Sequence, residues 1–299
     1  MLKGKDLSLE TIFINIIILI TGIFTILRII FYLPIYADNA LAILRDYDYA
    51  IFVFESQLGI IDFHMPDVGS FYLYFWYFIF FPFSLIPKEI GFYIWDTARL
   101  VAVIYMFKNV DKISDKKKNI LVFLILSTIG YFADAYLNNS NWIVGLLLFI
   151  SYIELEKDKK WISGILFALT LYKLTPVFFP IILLIIKKVK LKEVIYYILP
   201  SVVICVPYII FPQYFLNFLH NLTIVRGIDP ATAPEFIKFL RIIVKAFQTG
   251  HMIFYGFLVL IIIENIKNPK REKILRVILF SILLFIGLLA PLFAMLIFG

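Results

Sequence analysis

Over 299 residues the chain is 62% hydrophobic and 16% charged, with a mean hydropathy of +0.94; soluble domains are about half apolar and a quarter charged, so a water-soluble fold is excluded. The formal charge of +7 does not point to nucleic acid, because Lys and Arg fall in short clusters between apolar runs rather than along one face, as orientation in a bilayer requires. A single cysteine, Cys205, excludes an internal disulfide framework.

The first apolar run, at about 11–34, follows Lys3 and Lys5 and has no small-residue cleavage site after it. It reads as a retained first helix with the amino terminus on the cytoplasmic side of a cell membrane. Further runs lie at about 70–87, 90–108, 119–137, 142–157, 161–186, 193–212, 251–266 and 275–298, against roughly 17 to 25 residues needed per crossing. The expected fold is all-α, a multi-pass membrane bundle of about nine or ten transmembrane helices. Pro34, Pro87, Pro212 and Pro269 fall at run ends, whereas Pro176, Pro180, Pro200 and Pro207 fall inside runs and predict breaks or kinks.

Two connections are too long and polar to be turns. Ile35 to Gly69 holds Asp38, Asp46, Asp48, Glu55, Asp62, His64 and Asp67 against the single Arg45, an acidic loop expected to face outward beside a basic amino terminus. Gln213 to about Gly250 is the second. If both face outward, an even number of crossings separates them, and the six runs from 70 to 212 satisfy this. That parity leaves the basic stretch Lys108 to Lys118 outside, against the positive-inside tendency. The alternative makes 161–186 a short hairpin turning at Leu174-Thr175-Pro176, which moves several loops across the membrane.

No phosphate-binding loop, dinucleotide fingerprint or HExxH motif is present, and the three histidines, His64, His220 and His251, are scattered. Nucleotide-driven chemistry and a histidine-built metal site are therefore not expected. Ionisable groups among apolar helices are costly to keep and mark candidate function. They are Asp96, Arg99, Asp134 and Lys173, with Asp46 and Asp48 interleaved among Tyr47, Tyr49, Phe52 and Phe54 in the first loop. Each has a plainer reading. Asp96 and Arg99, three apart, can neutralise each other; Asp134, near Asn138, Asn139 and Asn141, can cap a helix end; the loop acids can be solvated surface. Lys173, ahead of Leu174-Thr175-Pro176, sits where a proline frees a backbone carbonyl and where a lipid phosphate can be met.

At these residues the sequence resembles the GT-C membrane glycosyltransferases, and most closely glycosyltransferase family 87, the polyprenyl-phosphate-mannose-dependent mannosyltransferase-like proteins. The resemblance rests on Asp48-Tyr49-Ala50-Ile51-Phe52, on Met65-Pro66-Asp67 followed by Phe71-Tyr72-Leu73, and on Asn138-Asn139-Ser140-Asn141-Trp142. Its most specific element is the helix from Gly164 that ends in Lys173-Leu174-Thr175-Pro176 and closes on Lys187 and Lys188. It implies a single membrane domain over 1–299, with a seven-helix GT-C-like module at 10–212, a long first outer loop, a second at 213–250 and additional helices at 251–299.

It also implies a hexosyltransferase moving a mannose-like sugar from a polyprenyl-phosphate donor to a lipid or glycan acceptor at the outer face, with inversion. Asp48 is then the general base, with Asp46 and Asp38 as the next choices. Lys173 and Arg226 receive the phosphate, while Asn141, Asp96 and Arg99 complete the substrate-binding set. The lipid-linked sugar is the donor, so neither cofactor nor metal is called for, and the partners are membrane lipids and the acceptor glycan or lipid. Two other classes fit the composition. A multi-pass transporter or lipid flippase would use the broken helices and mid-membrane charges, and a catalytically degenerate scaffold would use neither.

Overall fold

The computed structural model describes residues 8–31, 81–83, 85–173, 175–223 and 251–298, and every regular element among them is helical. In chain order these are α1 (Leu9–Phe31), α2 (Lys88–Lys108), α3 (Lys117–Leu137), α4 (Asn141–Glu156), α5 (Lys160–Ala168) and α6 (Phe178–Ile185). Then come α7 (Ile195–Ile210), α8 (Pro212–Thr223), α9 (Met252–Glu264) and α10 (Pro269–Phe298). Four described segments, Leu9–Leu27, Ile90–Lys108, Lys117–Tyr136 and Leu191–Ile210, are long and apolar enough to cross a membrane.

Helix α9 is apolar on every side and is buried almost throughout, as a helix without a polar stripe must be. It packs against α3 and α4. Lipid offers little hydrophobic drive between helices, so close packing across small residues has to hold such a bundle. Gly130 of α3 and Gly145 of α4 admit Ile253 of α9: Cβ atoms built on them would lie 2.6 Å from its backbone nitrogen and 2.5 Å from its Cγ2. Phe149 lies 6.1 Å from Phe123 and 5.7 Å from Phe257, and Phe257 lies 6.2 Å from Phe179. This aromatic run ties α3, α4, α9 and α6 into one core. Large apolar side chains on α1 and α7, among them Leu19, Ile26, Val203 and Ile209, are exposed, as faces turned to lipid would be.

The apolar run at 161–186 is not one crossing. Helix α5 continues through a 3-10 turn, Leu169–Tyr172, and Lys173 is extended at φ −105° and ψ 138°. A second 3-10 turn, Thr175–Val177, then leads into α6. The arm Lys160–Tyr172 rises only about 20 Å at helical pitch, short of the roughly 30 Å hydrocarbon core. The chain then returns to where it started: Lys188 Nζ bonds Glu156 Oε1 at 2.8 Å, beside the start of α5. The hairpin reading of 161–186 therefore replaces the single crossing. Pro176 gives the reason, since it has no N–H to pair with the Tyr172 carbonyl and its ring crowds that carbonyl. By contrast, α7 runs unbroken through Pro200 and Pro207, so the break expected there is absent.

With the hairpin in place, the basic connections gather at one end of the bundle. Ser114 Oγ meets Glu264 Oε2 at 2.5 Å and Lys116 Nζ meets Glu272 Oε2 at 3.1 Å. Asn265 Nδ2 donates to Tyr152 Oη at 3.3 Å, and Lys160 Nζ bonds Glu193 Oε1 at 3.1 Å. Lys108–Lys118, Lys157–Lys160, Lys187–Lys192 and Lys267–Lys273 consequently share this basic end. Burial alone would lower the Lys188 pKa, but Glu156 and the Tyr152 ring outweigh it and hold that pKa above the ordinary value.

Helix ends here are shaped by left-handed residues other than glycine: Asn138 at φ 52°, Asp158 at φ 60° and Lys187 at φ 62°. Each stands just past a helix, and the following N–H closes back five residues, Asn139 to Asp134 O at 3.0 Å, Lys159 to Glu154 O at 2.9 Å and Lys188 to Leu183 O at 2.9 Å. This is the Schellman closure.

Candidate functional site

The opposite end holds the turn between α3 and α4 and the tip of the α5–α6 hairpin. Along α3, Tyr131 and Asp134 lie three residues apart and so share a face, and Asn138 follows just past the helix end. Asp96 and Arg99 of α2 come to the same place, as do Asn139, Ser140, Asn141 and Trp142 of the turn and Tyr172 and Lys173 of the hairpin. All four charged groups are buried, at 4% exposure for Asp96, 1% for Arg99, 0% for Asp134 and 5% for Lys173. Two cations and two carboxylates bring the set to charge balance, which burial in a low-dielectric interior demands.

Arg99 organises one side. Its Nη2 is ion-paired with Asp96 Oδ1, while Nη1 donates to Asn138 Oδ1 at 2.7 Å and to the Asp134 carbonyl at 3.1 Å. Its guanidinium carbon stands 5.7 Å from the Tyr131 ring centroid, and the Tyr131 hydroxyl is bonded to Thr21 of α1. Asp134 and Lys173 organise the other side. Asp134 accepts from Asn141 Nδ2 through Oδ1 and from the Trp142 backbone N–H through Oδ2, both at 2.8 Å. A carboxylate thus caps the amino terminus of α4, where the dipole favours negative charge, although it comes from the preceding helix.

Lys173 Nζ donates to Asn141 Oδ1 at 2.5 Å and to Asn139 Oδ1 at 2.7 Å. The Tyr172 hydroxyl donates to the Ser140 carbonyl at 2.8 Å, which pins the hairpin tip to the α3–α4 turn.

Five of the sequence candidates therefore converge: Asp96, Arg99, Asp134, Asn141 and Lys173. The first-loop carboxylates Asp48, Asp46 and Asp38, and Arg226 of the second loop, lie outside the described residues. Tyr131, Tyr172 and Thr21 were not singled out by sequence. Tyr131 carried a usable signal, standing three residues before Asp134 on one helical face; Tyr172 adjoins Lys173, and Thr21 is an isolated polar residue in an apolar run. Among the described residues, no group of three or more His, Cys, Asp or Glu is arranged to hold a metal ion.

A helical membrane protein that gathers two cations and two carboxylates, all buried, at one end of its bundle has a candidate functional site there. A sequence model of glycosyltransferase family 87 matches residues 71–298, three quarters of the chain. The chain is a member of that family and is a glycosyltransferase. Comparison with curated proteins and with solved structures returned no match.

Proposed function

We propose that the protein transfers a mannose-like hexose from a polyprenyl-phosphate donor to a lipid or glycan acceptor at the outer face of a cell membrane, with inversion. The observation that carries the reading is the buried pair of cations, Arg99 and Lys173, fixed by hydrogen bonds at the end of the bundle opposite the basic connections. Positive residues favour the cytoplasmic side, so the basic end faces the cytoplasm and the site faces outward.

In the reaction, Asp48 takes the proton of an acceptor hydroxyl, with Asp46 or Asp38 as the alternative base. The acceptor oxygen forms a bond to the anomeric carbon as the bond from that carbon to the phosphate oxygen breaks. Polyprenyl phosphate departs with the electron pair. A partly desolvated carboxylate is a better base than one in water, and the phosphate gaining charge is stabilised by fixed cationic donors. Lys173 and Arg226 receive it, and Asn141, Asp96 and Arg99 complete the substrate-binding set. The lipid-linked sugar is the donor, and the scheme calls on no cofactor or metal.

Membranes containing the wild type or Asp48→Asn, supplied with a radiolabelled polyprenyl-phosphate hexose, test the reading. Transfer by the wild type that collapses in Asp48→Asn at equal expression supports both reaction and base. Equal transfer moves the base to Asp46 or Asp38, and no transfer from any such donor overturns the donor class.

A further inference from the structure

We infer that Asp134 is the positioning residue of the phosphate subsite, acting through Asn141 on Lys173; the inference rests on the polyprenyl-phosphate reading above. Asn141 is the pivot. Its Nδ2 is given to Asp134 Oδ1 at 2.8 Å and its Oδ1 receives Lys173 Nζ at 2.5 Å. The amide can turn its oxygen to the lysine only while something accepts from its nitrogen, and the fully buried carboxylate of Asp134 is that acceptor. The second oxygen of the same carboxylate holds the Trp142 N–H, so Asp134 also fixes the first turn of α4, from which Asn141 projects. Lys173 comes from the extended residue at the hairpin tip, where a flexible four-carbon stem has no aim of its own.

A second observation indicates what the site receives. Arg99 Nε, Asn138 Nδ2 and Trp142 Nε1 are buried donors with no acceptor among the described residues. Buried donors left unmatched are costly, and a set of them beside two cations fits a ligand that brings only acceptors, as a phosphate monoester or diester does. Asp134 is thus anion-repelling by charge yet needed for anion binding through geometry. Supporting groups of this kind commonly set the aim of the residues that touch substrate.

The test uses purified full-length protein and two probes, a polyprenyl monophosphate and the matching polyprenyl alcohol, with thermal stabilisation giving the affinity for each. The wild type is expected to prefer the phosphate. In Asp134→Asn the preference is expected to fall about tenfold, and adding Asp134→Asn to Lys173→Met is expected to lower it no further, since residues acting through one another are non-additive.

A role confined to stability would weaken phosphate and alcohol alike and leave their ratio unchanged. That outcome, or an equal drop in both backgrounds, overturns the inference and leaves the donor reading standing. A wild type that does not distinguish phosphate from alcohol overturns the donor reading instead. If Asp134→Asn fails to fold, Asn141→Ala cuts the same link one step nearer to Lys173 and is held to the same two outcomes.

Discussion

Gly164 of α5 packs directly on the carbonyl of Tyr196 in α7: a Cβ built on it would stand 1.8 Å from that oxygen. The Tyr196 carbonyl is the one that residue 200 would have paired in a regular helix, and residue 200 is proline. Pro200 thus supplies a bare carbonyl and Gly164 supplies a surface flat enough to cover it, with Cα–H···O contact the favourable term. Around them Ser163 Oγ and Tyr197 Oη pair at 2.9 Å, and Ser151 Oγ donates to the Ser163 carbonyl at 2.8 Å. The α5–α6 hairpin that carries Lys173 is therefore wedged between α4 and α7.

Gly164→Ala is expected to destabilise the protein by about 3 kcal/mol, the upper end of overpacking costs, because the obstacle is backbone and cannot rotate away. Thermal unfolding of the purified protein in detergent measures it. A variant as stable as the wild type would mean that the hairpin and α7 are not in contact at this position.

The hairpin also fixes which connections share a side. In a Cys205→Ser background, Lys112→Cys, Lys157→Cys, Lys190→Cys and Lys267→Cys are expected to react with a membrane-impermeant thiol reagent from one side only, and the same one. The pair Lys157 and Lys190 decides the matter. A single crossing over 161–186 would put them on opposite sides, so labelling from opposite faces would refute the hairpin.

Lys187 occupies the left-handed region at φ 62° just past α6, where a side chain costs about 1–2 kcal/mol and glycine pays almost nothing. Lys187→Gly is expected to raise stability by about 1 kcal/mol, since no described ion pair holds the Lys187 side chain. Chemical denaturation of the two proteins side by side is the measurement, and a loss of stability would mean that the Lys187 side chain is worth more than the backbone relief.

The sequence read the helical bundle correctly because apolar length is a direct consequence of the bilayer, and α1, α2, α3 and α7 each carry enough of it. It preferred the wrong path at 161–186 because apolarity reports burial and not direction: twenty-six residues spent on one crossing or on a half-depth hairpin look alike until the break at Lys173 and the meeting of Lys188 with Glu156 tell them apart. In the site, Asp96, Arg99, Asn141 and Lys173 each stood out as a polar residue among apolar ones. What one dimension could not show was that Asn139 and Asn141 turn their carbonyl oxygens onto the same ammonium, or that Asp134 caps a helix other than its own.

Lys173 is the side chain on which these arguments meet, and it separates a binding role from a packing one. Lys173→Met keeps the length of the stem but leaves Asn141 Oδ1 without its donor, while Asn139 Oδ1 keeps the Ser140 N–H, a loss of about 1–3 kcal/mol for a buried acceptor. Lys173→Arg keeps the charge but asks a planar fork to fit where one nitrogen now meets oxygens at 2.5 and 2.7 Å, and such an exchange is not conservative. Both variants are expected to fold, and both are expected to lower sugar transfer by about tenfold or more, the effect of removing one charged donor from a developing anion. The loss should appear as a raised donor KM for Lys173→Arg and as a lower kcat as well for Lys173→Met, because only the second removes the charge that the departing phosphate meets. Initial rates against donor concentration, with folding checked by thermal unfolding, separate these cases. Transfer at the wild-type rate in Lys173→Met would make Lys173 a packing residue and leave the phosphate to Arg226.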